Sequence, residues 1–349
     1  MDKIPFVYVL FSGQLYGTER MAIVTAQGIS GKYQPILLTP PGLVLAEAEQ
    51  HQITTQCFDS NWQMAGQLKF YLANNPKLVF VTTRILHSLI IVIFNSFYRR
   101  QITHLHVVHG GANEKLSYSR KSLLNPFSLK LIAVSEFVRD RLLSYGVRFQ
   151  KIEVIENFLL ESQIETIPKR QSFTTPGIKR VIIVSRLEPI KRIDLLLDAL
   201  DFAPALNSLE FRIFGFGSQM KQLQTRVISG NHPVLFEGFS LKILELMANS
   251  DLLLHLCPVE PFGLAILEAM AVGLPVLVPD RGGAELLVED GVSGFQFSAD
   301  DEQDLALTLE KVGRTYPMML NSIVDNARKV LKNRFSEHRA ISAYLKLLN

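Results

Sequence analysis

The 349-residue chain has little cysteine: only Cys57 and Cys257, which lie far apart. That excludes a disulfide framework and any sequence spacing typical of a structural metal, and makes a reducing cytoplasm the expected compartment. Nor is any apolar run long enough to span a bilayer. The nearest, "LIIVIF" at 89–94, is soon followed by Arg99 and Arg100 and reads as a buried helix segment. The opening "MDKIPFVYVLF" has a short apolar part, after which Ser12-Gly13 opens a loop with no cleavage-type run, so a first β-strand is expected rather than a signal peptide. Short repeats, low-complexity tracts and an Asp-x-Asp pair are all absent.

Net charge is small, +3, but unevenly placed. Residues 1–160 carry 16 Lys and Arg against 10 Asp and Glu, whereas residues 161–349 carry 20 against 23. A basic N-terminal half suits an anionic substrate or an anionic membrane surface. Nothing in the pattern calls for a nucleic-acid partner.

Short β-rich runs alternate with helical ones along the whole chain. In the first half the strands are "PFVYVLF", "QPILLTP", "KLVFVTT", "THLHVVHG", "KLIAVS" and "KIEVIEN", with helices such as "GTERMAIVTAQGI" and "EFVRDRLLSYG" between them. The alternation lapses at 161–178, a polar stretch with two prolines, and restarts with "KRVIIVSR", "LEFRIFG", "PVLFEG", "DLLLHLC" and "LPVLVPD". Near-continuous Val/Ile/Leu strands are those of parallel sheets covered on both faces. The expectation is α/β: two Rossmann-like, doubly wound domains, at 1–160 and 179–330, joined by a linker at 161–178 and followed by a helix at 331–349. Ligands of such sheets bind beyond the carboxyl ends of the strands, so candidate residues are those that follow strands.

Several pass that filter. Arg186 and Lys191 follow "VIIVS" and stand before a helix, where two cations make an anion site. Gly215 and Gly217 form a glycine turn after "LEFRIF"; Met220 excludes the dinucleotide fingerprint. Glu260 lies in the loop after "DLLLHLC", and Gly263 opens the next helix with free backbone N–H groups. Glu268 is the only polar side chain of that apolar helix, and a buried carboxylate needs a partner: either ligand hydroxyls or a structural Arg or N–H. Gly282-Gly283 follow "LPVLVPD" and either let backbone pass close to something or make a turn. In the first half, Gly13 and Gly17 make a flexible loop, Glu19 reads as a first-turn carboxylate favoured by the helix dipole, and His109 stands at a strand end. His104 and His106, inside that strand, read as packed histidines rather than zinc ligands.

Taken together, "EPFGLAILEAMAVGLPVL" with its E-x7-E spacing, "SRLEPIKRID", "IFGFGS", "FEGF", "GGAELLVEDGVSGF" and "AVSEFVRDRL" resemble the retaining GT-B glycosyltransferases related to glycogen and sucrose-phosphate synthases. The resemblance is strongest over 180–298. It implies two domains facing across a cleft, with the last helix crossing back to the N-terminal one. Arg186 and Lys191 would bind the diphosphate of a nucleotide sugar, UDP-linked being favoured, and Glu268 the ribose. Glu260 would hold the donor sugar, oriented by backbone at Phe262, Gly263 and Leu264, and the strand around Phe236 to Phe239 would touch the base. Gly13 and Gly17 would approach the phosphates, and His109 the sugar. Two positions depart from the family: Tyr16 where a second glycine is frequent, and Arg192 where a Gly often follows the Lys.

The expected activity is transfer of a sugar to an acceptor hydroxyl with retention, without cofactor or metal. The acceptor would be a glycan or lipid-linked molecule of bacterial envelope assembly, with the protein cytoplasmic and in peripheral contact with the inner membrane face. A GT-B sugar epimerase and an inactive donor-binding subunit are the competing readings.

Overall fold

The computed structural model describes residues 3–110 and 114–348. The chain divides into two compact units, Met1–Leu160 with Glu337–Asn349, and Glu161–Ser336. The stretch read as a linker contains a short helix, Glu161–Thr166, and the helix expected to begin at 331 begins instead at Glu337, after a long helix Pro317–Arg334.

The first unit is a seven-stranded parallel sheet: β1 (Ile4–Val9), β2 (Tyr33–Thr39), β3 (Thr54–Cys57), β4 (Lys77–Thr82), β5 (Gln101–Val108), β6 (Lys130–Ala133) and β7 (Ile152–Val154), in the order 3-2-1-4-5-6-7. The second is a six-stranded parallel sheet: β8 (Arg180–Val184), β9 (Glu210–Phe214), β10 (Val234–Gly238), β11 (Leu252–Leu254), β12 (Val276–Pro279) and β13 (Phe295–Phe297), in the order 10-9-8-11-12-13. The strand order reverses beside β1 in one sheet and beside β8 in the other. Loops leaving adjacent strands diverge at such a point and open a crevice at the carboxyl edge.

Strands such as β4 and β12 are apolar on both faces because helices cover both faces. In the second unit one buried cluster runs from Phe173 through β8, β9 and β11 to Val324 of the long helix. In the first unit the helix Glu337–Leu348 lies on the helix Gly17–Ile29: a Cβ at Gly28 would sit 2.5 Å from the Ile341 side chain. Among the described residues, no helix is long and apolar enough to cross a membrane.

The segment 89–94 corrects its sequence reading in part. It does lie in a helix, Ile85–Tyr98, but only His87, Ser88 and Ile91 of that helix are fully buried, and Ile93 and Phe97 are exposed. Arg192 shows why glycine suits its position. Its φ is +53°, left-handed backbone that costs a non-glycine residue about 1 kcal/mol. The Arg192 guanidinium pairs with Asp194 and Asp300.

A methyl group at Gly215 would lie 1.9 Å from the Ser185 carbonyl oxygen, at φ +141°. Gly215→Ala should therefore destabilise the second unit by about 1–3 kcal/mol in urea titration. Gly291→Ala, also at positive φ but with open space beside it, should cost only about 1 kcal/mol.

Candidate functional site

In the second unit the site grows from the two strands that flank the reversal. After β8 the chain makes a short turn, Pro189–Lys191, before the helix Ile193–Phe202. After β11 it passes through His255, Cys257 and Glu260 before the helix Leu264–Val272. The two loops meet in a buried ion pair. Lys191 Nζ donates to Glu260 Oε2 at 2.5 Å, and both side chains are largely buried, 13% and 15% exposed. His255 Nε2 lies 3.4 Å from the same oxygen, and Cys257 Sγ donates to the Ile190 carbonyl at 3.2 Å.

Burial by itself pushes the Glu260 carboxyl up, but the Lys191 ammonium and His255 more than offset it, and the group is held well below the usual carboxylate range. Burial likewise opposes the charge on Lys191, and Glu260 outweighs it, raising the ammonium. The pair is therefore ionised. Cys257 behaves differently: burial pushes its thiol up to about 11, so it stands protonated. The donor atoms of His255, Cys257 and Glu260 lie within 4.8 Å of one another, as a metal site requires, yet Lys191 already places a cation on the shared carboxylate.

Glycines set the shape of these loops. Cβ atoms at Gly215 and Gly217 would meet the carbonyl oxygens of Ser185 and Leu187 at 1.9 and 2.2 Å, so the turn after β9 lies flat against the loop carrying Arg186. Leu187 N–H donates to the Phe216 carbonyl (2.9 Å), and Gly215 N–H to the Gly238 carbonyl (2.8 Å), linking three successive loops. The something that Gly282 and Gly283 pass close to is the Glu260 loop: their Cβ atoms would meet Pro258 O at 2.8 Å and Pro261 O at 2.3 Å. Arg186 projects into solvent from this frame, as do the rings of Phe216 and Phe239.

Gly263 caps the helix Leu264–Val272 at φ +105° and, as a glycine, gives its first N–H groups no side-chain cap; the Ile266 N–H donates to the Gly263 carbonyl (3.0 Å). Phe262, just before it, is buried edge-on against Phe335, centroids 5.7 Å apart. Leu264 is the first helical residue, and Glu268 lies on the buried part of the helix, 3% exposed.

His109, Gly13 and Gly17 belong to the first unit. Gly13 packs against the turn after β2, where a Cβ would lie 2.2 Å from Pro41 O, and Gly17 is the first residue of its helix. His109 lines a pocket of about 800 Å³ with Glu19, Arg84, Arg120 and Lys121. Burial, with Lys121 nearby, pushes the His109 imidazole down to about 4, so it is neutral.

Sequence reasoning missed His255 and Cys257. It extended the strand to Cys257, whereas β11 closes at Leu254 and leaves both residues in the loop region that the strand-end filter examines. The sequence does mark Lys121, with Lys115 and Arg120, as part of a basic run that follows the His109 loop.

Residues 17–159 match the family described as Glycosyltransferase Family 4, and residues 165–330 match Glycosyl transferases group 1. The amylovoran biosynthesis glycosyltransferase AmsK of Erwinia amylovora is 25% identical over 265 residues, 72% of this chain and 62% of that protein. The putative colanic acid biosynthesis glycosyltransferase WcaL of Salmonella typhimurium is 27% identical over 221 residues, 59% of this chain and 53% of that one. The chain thus aligns with little more than half the length of these curated relatives. Among solved structures, Anabaena Alr3699/HepE in complex with UDP and glucose superposes with a TM-score of 0.83 at 23% identity, covering 99% of both chains. Both units therefore carry glycosyltransferase family domains, and the protein falls in the GT-B class, with two Rossmann-like domains.

At neutral pH, Lys191→Ala should cost about 3–5 kcal/mol in urea titration, because it removes the ammonium that balances the buried Glu260 carboxylate; adding Glu260→Gln should recover most of that loss. The folded Glu260 carboxyl lies below its unfolded value, so its contribution is full above the unfolded pKa and is lost as pH falls through the folded one. The stability gap between wild type and Glu260→Gln should shrink steadily as the pH is lowered from about 5 toward 2. A gap independent of pH would contradict the ionised pair.

Proposed function

We propose that the protein transfers a sugar from a nucleoside-diphosphate sugar, with UDP-linked donors favoured, to an acceptor hydroxyl, and that the anomeric configuration is retained. The observation that carries this reading is the buried Lys191–Glu260 pair, which joins the loops flanking the reversal of the second sheet in a chain whose two units both match glycosyltransferase families.

In this reading the exposed Arg186 and the ammonium of Lys191 meet the diphosphate, together with the uncapped N–H groups behind Gly263. Glu268 accepts from the ribose hydroxyls, and Glu260, held ionised by Lys191, accepts from the donor sugar. The bond from the anomeric carbon to the diphosphate breaks, and the acceptor oxygen attacks from the same face. The acceptor proton passes to the departing phosphate oxygen. Charge on the leaving group is balanced by Arg186 and Lys191, so the chemistry needs no divalent ion. Alr3699/HepE has been solved with UDP-glucose, which supports a uridine donor, and AmsK and WcaL are described as polysaccharide biosynthesis enzymes, which supports a glycan or lipid-linked acceptor.

Turnover of UDP-, GDP- and ADP-sugars, with product configuration read by NMR, tests the proposal. Arg186→Ala should lower kcat about 10²–10³-fold while leaving thermal stability near wild type, since the residue is exposed. EDTA should leave the wild-type rate unchanged. An inverted product, or a rate in Arg186→Ala equal to wild type, would refute it.

A further inference from the structure

The pocket of the first unit opens at that sheet's reversal, among the loops that follow β1, β4 and β5. Behind it runs a buried polar chain that contains no acid. Lys121 Nζ lies 2.8 Å from His106 Nε2; His106 Nδ1 lies 2.9 Å from Ser88 Oγ and 3.1 Å from Thr82 Oγ1. Thr82, Ser88 and His106 are fully buried, and Lys121 is 8% exposed. An ammonium only donates, so His106 Nε2 is the acceptor and Nδ1 carries the proton toward the hydroxyls. Burial and the Lys121 charge push His106 well below its usual range, which keeps the ring neutral. Burial brings Lys121 down to about 8, so it is charged at neutral pH.

This arrangement differs from Lys191. A buried ammonium is ordinarily matched by a carboxylate. Lys121 has instead a neutral imidazole, which uses one of its three donors and aims the head group. Among the described residues lining the pocket, three cations (Arg84, Arg120 and Lys121) face one carboxylate, Glu19. Glu19 is 4% exposed, its Oε2 has no hydrogen-bond partner, and burial raises its carboxyl to about 6. His109 Nε2 is unpartnered as well. The counter-charge missing among the described lining residues is one that a ligand can bring. Exposed Leu86, Leu116 and Leu123 add an apolar lining.

We propose that this pocket binds a phosphoryl group of the acceptor, with Lys121 as its main contact and Glu19 accepting from an acceptor hydroxyl; the word acceptor rests on the glycosyl-transfer reading, whereas the phosphoryl site does not. The phosphoryl group belongs to a prenyl-type lipid carrier or to a free phosphorylated compound.

The test is calorimetric titration of the full chain with inorganic pyrophosphate, carried out in Arg186→Ala so that the diphosphate contact of the second unit is weakened. One pyrophosphate should bind, and adding Lys121→Met should weaken it at least tenfold. If Lys121→Met fails to fold, the double substitution Arg84→Ala with Arg120→Ala, both exposed, should weaken binding several-fold. Geranyl pyrophosphate binding tenfold tighter than pyrophosphate assigns the lipid source; equal affinities assign the free one. No pyrophosphate binding in Arg186→Ala, or binding unchanged in the folded pocket variants, overturns the proposal. Failure of every nucleotide sugar to turn over would refute the transfer reading and leave the pyrophosphate result standing.

Discussion

A single buried ion pair, Lys191 with Glu260, is the constraint around which the second unit's site is arranged. It joins two loops that the topology sends apart at the reversal of the sheet. Such a pair is a poor source of net stability, because desolvation of both ions cancels most of their attraction. What it secures is geometry: neither partner can leave without stranding a charge, so the β8 and β11 loops are kept in one register. The helix that carries Glu268 starts from the end of the second loop and inherits its position.

Backbone proximity supports this electrostatic tie. Gly215, Gly217, Gly282 and Gly283 each stand where a Cβ would collide with a carbonyl of an adjacent loop. Their role is close packing of loop on loop, which lays several strand-end segments side by side at the carboxyl edge. Arg186, exposed on that surface, is held by the backbone beneath it rather than by a side-chain partner. The two units use their switch points differently: one pairs its buried lysine with a carboxylate, the other backs its buried lysine with a neutral histidine and leaves the charge for a ligand.

Much of the architecture was readable from the chain. Continuous Val/Ile/Leu runs separated by helical patterns announce parallel sheets covered on both faces, and the sheets follow that plan. The strand-end rule picked out Lys191 and Glu260 separately, although they are 69 positions apart in the chain. It passed over His255 and Cys257, because an apolar run does not reveal where pairing stops. It set aside His106 as a packed strand histidine, and the ring is indeed buried, but its role depends on Lys121 arriving from another element. The apolar segment 89–94 reads as buried in the sequence because hydropathy reports composition and not which face of its helix meets the core.

By itself, then, the sequence determined the α/β alternation, the parallel strands and the helix that buries one acid, since these follow from local periodicity and the cost of exposing apolar surface. Tertiary structure decided which charges meet. Lys191 reaches Glu260 and Lys121 reaches His106 only because parallel strands place distant loops at one edge of a sheet. It also decided the state of each group: burial and the identity of the nearest charge, neither of which is a local property of the chain, leave Glu260 ionised, Cys257 protonated and His106 neutral.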